Sequence, residues 1–328
     1  MKLLYKTALP MALLAVAATA GAQDFPGSKP ITIVVPFAAG GPTDLVARQL
    51  AEAMRKPLGG ATILVDNAAG AGGTIGANKV AKASADGHTV LLHHIGVATA
   101  PALYRNLPYK TLDDFEYVGM VNEVPMTVIG RPTLPANNYA ELTKWLEANK
   151  GKVNLANAGL GAASHLCGLL FQSSLKMEMT TVPYKGTGPA MTDLIGGQVD
   201  LMCDQTTNTS SQIEGKKVKA FAVTTRQRLA TPALKDLPTM QEVGYKDFEV
   251  NVFHGLYAPK GVPAAALKKL NDALKVALKD PDFVRRQNEL GAVIVSDKRV
   301  EPAEHKKFIA AEINKWTPVI RAAGVYAD

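Results

Sequence analysis

The chain has 328 residues, of which 47% are apolar and 20% charged, and carries a formal net charge of +7. These proportions exclude an intrinsically disordered chain, and 28 glycines without a three-residue period exclude a collagen-like one. Two cysteines are too few for a disulfide-framed mini-protein or a cysteine-rich metal site, and scattered lysines with 6% aromatic residues argue against a nucleic-acid groove.

Residues 1–6 carry two lysines and no acid, residues 7–20 are apolar, and Ala20-Gly21-Ala22 offers the small residues a signal peptidase accepts. Residues 1–22 therefore read as a secretory signal peptide. Their apolar core of ~14 residues is short of the ~20 that span a bilayer. Cleavage removes Lys2 and Lys6 and no acid, so the remainder stays basic and is expected outside the cytoplasm.

The β-branched run 31–37 predicts a buried strand, broken by Ala38-Ala39-Gly40-Gly41-Pro42. Leu45, Val46, Leu50 and Met54 then mark one face of a helix over 43–56. A strand at 61–65, a glycine-rich stretch at 68–76, a helix to 83 and a strand at 89–93 follow. This alternation indicates an α/β fold with a parallel sheet. After a long extended stretch around 117–129, helices are expected at 138–150, within 160–176 and at 189–195, with strands at 153–156, 180–182, 199–203 and 219–224. A second long extended stretch covers 248–258, and helices at 263–279, 282–290 and 303–323 close the chain. At this length two domains are the natural division. The two extended stretches suggest that the chain crosses between lobes twice. Residues 23–124 and 248–328 then form a discontinuous lobe one, and 125–247 an inserted lobe two. A cleft between such lobes is the usual place for a ligand.

Signatures of catalysis are missing. HExxH, GxSxG and GxxxxGK[ST] do not occur. The run from Gly70 to Gly76 fails as a dinucleotide fingerprint because Ile75 holds the third glycine position. The run from Gly159 to Ser164 also fails by one residue. Neighbours in a strand face opposite ways, so His93 and His94 cannot share a metal there. No metal and no cofactor is expected. What does recur is a strand, then small residues and glycine, then a helix start with hydroxyls: Phe37 to Asp44, Asn157 to His165, and Tyr184 to Pro189. Helix N-termini offer free N–H groups and about half a positive charge, which binds carboxylate or phosphate without a cationic side chain. Asp44 either stabilises the first turn of its helix as an acid near the N-terminus, caps the Gly40-Gly41 loop or orients a water. Asp204, at a strand end, either meets a ligand amine or hydroxyl or caps the helix that follows.

The stretches VPFAAGGPTDLVAR, GTIGANKVAKASADGHTVLL, LPYKTLDDFEYVG, TVPYKGTGPAMTDLIGGQVDLMCDQ and FHGLYAPKGVP are spread along the chain between residues 35 and 263. In these stretches it resembles the Bug family, the periplasmic solute-binding receptors of tripartite tricarboxylate transporters. The resemblance implies a type II periplasmic-binding-protein fold with a hinged cleft. It also implies a non-enzymatic, monomeric receptor that passes a small carboxylate to a membrane permease. Carried over residue by residue, it places ligand contacts at Phe37, Ala39, Gly40, Gly41, Thr43 and Asp44 on lobe one, with His94 lining the cleft. On lobe two it places them at Gly161, Ala162, Ser164 and His165, with Asp204 near the hinge. Ala162 and Ala163 make that motif less polar than in some relatives, which favours a dicarboxylate or aromatic carboxylate over an amino acid. Against the same family pattern Cys167 and Cys203 stand out, and an oxidising compartment allows them to pair. A periplasmic adaptor for a sensor kinase and a secreted α/β hydrolase using Ser164 or His165 are the rival readings.

Overall fold

The computed structural model describes residues 25–322, 324, 326 and 327. The signal-peptide expectation for residues 1–22 lies outside the described residues. Among the described residues no helix is long and apolar enough to cross a membrane.

The β-branched sequence ITIVV forms strand β1 (Ile31–Val35). Helix α1 (Pro42–Arg55) starts where Pro42, lacking an N–H, costs no hydrogen bond, and it has Asp44 in its first turn and Arg55 in its last. Its buried stripe of Val46, Ala47, Leu50, Ala51 and Met54 packs with Ile31, Ile33 and Val35 of β1. The intervening Val34 joins the core on the opposite face, which is the period-2 alternation of a strand covered on both sides. Strand β2 (Ile63–Asn67), helix α2 (Thr74–Ala81), strand β3 (Thr89–His94) and helix α3 (Gly96–Leu103) complete the first α/β run.

Strand β4 (Phe115–Gly130) is long and continues through Pro125. Beyond it come α4 (Tyr139–Ala148), β5 (Asn154–Asn157), α5 (Ala163–Leu175), β6 (Thr180–Pro183), α6 (Thr187–Ile195), β7 (Leu201–Gln205), α7 (Thr206–Glu214) and β8 (Lys219–Val223). Strand β9 (Asn251–Pro259) then runs back, and α8 (Ala264–Ala277), α9 (Pro281–Glu289), β10 (Val293–Ile294) and α10 (Pro302–Ala322) follow.

The strands are ordered β2-β1-β3-β9-β4-β7-β5-β6, with β8 and β10 also pairing with β4. Residues 115–125 of β4 pair with β9, whereas residues 126–130 pair with β7 and β8. One strand therefore serves both halves of the sheet. A separate apolar cluster around Ile129, Ala156, Met191, Leu194 and Met202 packs the far half.

The mixed α/β architecture matches the expectation, but the sheet is not all parallel. Pairs β1–β2, β1–β3, β5–β6 and β5–β7 are parallel, and every pair involving β4 or β9 is antiparallel. Strands β4 and β9 are returning segments, not members of a strand–helix–strand unit, so no crossover fixes them parallel. Helix α3 also departs from the sequence reading. It is buried on nearly every side and holds Pro101, so it has no amphipathic stripe to reveal it.

Candidate functional site

Four helices turn their N-termini toward one narrow seam between the halves of the sheet. Helix α1 begins after Gly41, α5 after Ala162, α6 after Gly186 and α7 after Gln205, and none of these four caps makes a side-chain hydrogen bond to its helix. Their first N–H groups are thus left without the usual side-chain oxygen. A cavity in the seam is bounded by Gly41, Pro42 and Thr43 from the α1 junction and by Ala158, Ala163 and Ser164 from the α5 junction. Thr187 closes it from α6, Asp204 and Gln205 from the end of β7, and Phe37 with His94 from the other wall.

Close backbone approach holds the seam shut. The Ala38 N–H donates to the Lys185 carbonyl at 3.0 Å. A Cβ on Gly41 would lie 2.9 Å from Thr187 Oγ1, and one on Gly188 would lie 2.8 Å from the Ala39 carbonyl oxygen. At the other end Tyr104 Oη donates to the Leu160 carbonyl at 2.8 Å and Thr99 Oγ1 to the Gly161 carbonyl at 3.3 Å.

Of the residues read from the sequence, Phe37, Gly41, Thr43, His94, Ser164 and Asp204 border the cavity, whereas Ala39 and Gly40 sit on an exposed rim. Asp44 lies behind the loop and holds it: Oδ2 accepts from the Gly40 N–H and from Arg48 Nε, both at 3.0 Å, and Oδ1 accepts from Asn67 Nδ2 at 3.0 Å. Burial pushes its pKa up, but the bonds from Arg48, Gly40 and Asn67 outweigh that and hold it below the usual carboxylate range. Gly161 and Ala162 form the buried turn into α5. The Gly161 N–H donates to His165 Nδ1 at 3.1 Å, and the Ala158 N–H donates to Ser164 Oγ at 2.7 Å. Ser164 and His165 are thus each engaged with backbone, and the Ser164 hydroxyl keeps its own hydrogen for the cavity.

Histidines shape the floor. His94 Nδ1 accepts from the Gly96 N–H at 2.9 Å, so its proton sits on Nε2, and the ring stacks on Phe37 with centroids 4.5 Å apart. Burial lowers His94 to about 3 and His165 to about 4, and burial likewise holds His93 and His254 far below the usual histidine range. All four are neutral near pH ~7. His254 is joined to a one-way chain that the sequence reading does not contain. Gln287 Nε2 donates to Gln49 Oε1 at 2.7 Å, Asn122 Nδ2 to Gln287 Oε1 at 2.6 Å, and His254 Nδ1 to Asn122 Oδ1 at 2.8 Å. That leaves His254 Nε2 to accept from Thr43 Oγ1 at 3.2 Å. Asp204 is fully buried, and burial pushes its carboxyl up to about 7 against the opposing bonds from Asn208 and the Gln205 N–H.

Thr187 and Gln205 also border the cavity without appearing among the residues read from the sequence. The first belongs to the third glycine-rich junction, so its signal was present. The second follows Asp204 past the strand end, where only the fold shows which way it faces. A wider groove beside β2, lined by Arg48, Glu52, Arg55 and Leu64, contains no unpartnered buried polar atom.

Cys167 of α5 and Cys203 of β7 are joined by a disulfide, with Cα atoms 6.0 Å apart. It ties the helix that opens at the cavity to the strand that ends there.

Comparison with known proteins gives concordant results. The family model described as "Tripartite tricarboxylate transporter family receptor" matches residues 46–325. A protein of Agrobacterium vitis, described as the UPF0065 protein in the TAR-I ttuE-ttuC' intergenic region, is 51% identical over 305 residues, covering 93% of this chain and 87% of that one. The solved structure of the periplasmic binding protein BugD superposes with a TM-score of 0.88 at 50% identity, covering 90% of this chain and 98% of that one. MatC (Rpa3494) from Rhodopseudomonas palustris with bound malate gives a TM-score of 0.84 at 38% identity, covering 89% and 98%.

Proposed function

Because this chain belongs to the tripartite tricarboxylate transporter receptor family, we propose that it is a periplasmic receptor that captures a small dicarboxylate between two hinged lobes. It delivers the acid unchanged to the membrane permease of such a transporter, and it works as a monomer. The lobes are residues 23–124 with 248–328, and residues 125–247. Residues 1–22 direct export and are removed.

One observation carries the reading: four helix N-termini without side-chain caps surround a single buried cavity. Each offers unbonded N–H groups and about half a positive charge, which suits an anion. No Lys or Arg borders that cavity, so backbone must supply the neutralisation. The malate in the MatC structure supports a dicarboxylate of that size. Residues 37, 41, 43 and 94 contact the acid from lobe one, residues 164, 187 and 204 from lobe two, and the buried turns at 161–162 and 165 hold the second set in place.

Two strands are suited to act as the hinge. Thr224 Oγ1 accepts from the Met126 N–H at 3.0 Å and donates to the Val250 carbonyl at 2.6 Å. It thereby clamps both crossing strands where the chain passes between lobes.

Thermal-shift titration with succinate, malate, adipate and benzoate tests the reading. At a hundredfold excess over Kd, a true ligand stabilises the protein by about 2.7 kcal/mol. Gly41→Val places a side chain against Thr187 while keeping an ordinary backbone conformation, since φ at Gly41 is −89°. The variant should fold and lose the shift. A retained shift would remove the α1 loop from the site.

A further inference from the structure

The carboxylate reading leaves one contradiction, and it points to a specific residue. Asp204 is an acid in a cavity built for acids. Its side chain is 0% exposed, the carboxyl is held by Asn208 Nδ2, which donates to Oδ2 at 2.6 Å, and by the Gln205 N–H, and Oδ1 has no hydrogen-bond partner. Asp204 also fails to cap the next helix, because the N-cap of α7 is Gln205. A buried carboxylate oxygen without a donor is costly, and a carboxylate ligand facing it brings a second negative charge and no hydrogen. A proton on Oδ1 removes both problems. It cancels the charge and turns the orphan acceptor into a donor on a residue that lines the cavity.

We propose that Asp204 selects the ligand as a protonated acid: its Oδ1–H donates to a ligand carboxylate oxygen, so capture of the dicarboxylate takes up one proton from solvent. The inference rests on the carboxylate reading given above and deepens it. The same two carboxyls sharing one proton occur wherever like charges are held within hydrogen-bond distance in a dry site.

The surroundings isolate the titration. Facing Asp204 are Asn208 on its own side, Thr127 of β4 through the Asp204 carbonyl, and Ser164, Thr187, Phe37 and His94 across the cavity. The titratable groups near it are His94 and His165, with His93 and His254 behind, and burial keeps all four neutral above pH ~5. No Lys, Arg or second acid borders the cavity. The Asp204 carboxyl, pushed up to about 7 by burial, is therefore the group whose charge changes in the neutral range.

The sign follows from linkage. Binding raises the carboxyl's pKa further, so affinity is full below the value in the free protein and falls as pH rises above it. The fall is about tenfold per pH unit for one proton. Succinate and malate are the probes, titrated calorimetrically between about pH 6.5 and pH 9, where both stay dianionic. At about pH 8.5, repeating the titration in buffers of different ionisation enthalpy should show about one proton taken up per ligand bound. Asp204→Asn replaces the O–H donor with an N–H donor. It should bind within about tenfold of the parent at pH ~7, with a flat pH profile and no proton uptake. A wild-type profile that is flat, or that rises with pH, overturns the inference while leaving the carboxylate reading intact. So does an Asp204→Asn profile as steep as the parent's. Failure of every acid to bind at any pH removes the carboxylate reading, and this inference with it.

Discussion

Thr43 has one hydrogen to give, and His254 Nε2 takes it. The direction is forced from far away, because the His254 Nδ1 proton is committed to Asn122 Oδ1. Thr43 therefore shows only lone pairs to the cavity, whereas Ser164, whose oxygen already accepts from Ala158, shows a hydrogen. The cavity thus has a polarity set by second partners and not by residue type. Thr43→Val keeps the shape and strands His254 Nε2 in the core. It should destabilise the fold by about 1–3 kcal/mol, readable as a lower urea midpoint. An unchanged midpoint would mean that the histidine chain is not under tension at this end. Asp44 makes a separate, pH-dependent contribution. Its folded pKa is depressed, so its stabilisation is present above the unfolded value near pH ~4 and disappears as pH falls below it. Asp44→Asn should be less stable than the parent at pH ~7, and the gap should narrow progressively as pH falls below ~4. A gap that persists in acid would assign the loss to shape, not charge.

At the scale of elements, the disulfide and the clamp at Thr224 do different things. The bridge closes a loop of 36 residues in sequence, worth about 3–4 kcal/mol through the unfolded chain. It also fixes α5 on β7, and with it the spacing of Ser164 and Asp204. A Cys167→Ala, Cys203→Ala double variant should melt at lower temperature by several degrees and bind malate more weakly. Equal affinity would show that core packing around the pair holds the spacing unaided. In the hinge proposed above, Thr224 acts on movement instead. Thr224→Val removes the shared hydroxyl between Met126 and Val250, and should speed closure or weaken the closed form without altering the cavity wall. Fluorescence stopped-flow with succinate would report this as a change in rate constants larger than the change in melting temperature.

Across the molecule as a whole the seam is closed: Ala38 reaches Lys185, and Tyr104 reaches Leu160. These bonds join segments far apart in the chain, and under the proposed function they break for an acid to enter. In solution a saturating acid should therefore reduce the radius of gyration, and small-angle X-ray scattering with and without malate should record it. Identical curves would mean that the closed form dominates without ligand, and that affinity is limited by opening. At this scale the fold was readable in advance. Strands β1 and β3 and helices α1 and α8 announce themselves through β-branched runs and apolar stripes. The three glycine-rich junctions were visible because small residues between a strand and a helix have few other uses. Helix α3 was hidden because burial on all sides erases periodicity.

By itself the sequence determined the local units: alternating strands and helices, the glycine-rich junctions, and an absence of motifs for catalysis. Those depend on neighbours within a few residues, and composition records them. Only the tertiary structure decided that three separated junctions and the end of β7 share one cavity. It alone turned Asp44 away from that cavity and Asp204 toward it, and it alone linked Thr43 to His254 across 211 residues. The physical reason is that a side chain's charge and hydrogen-bonding role depend on burial and on which partner is already taken. Both are properties of packing between distant segments, and no stretch of chain carries them alone.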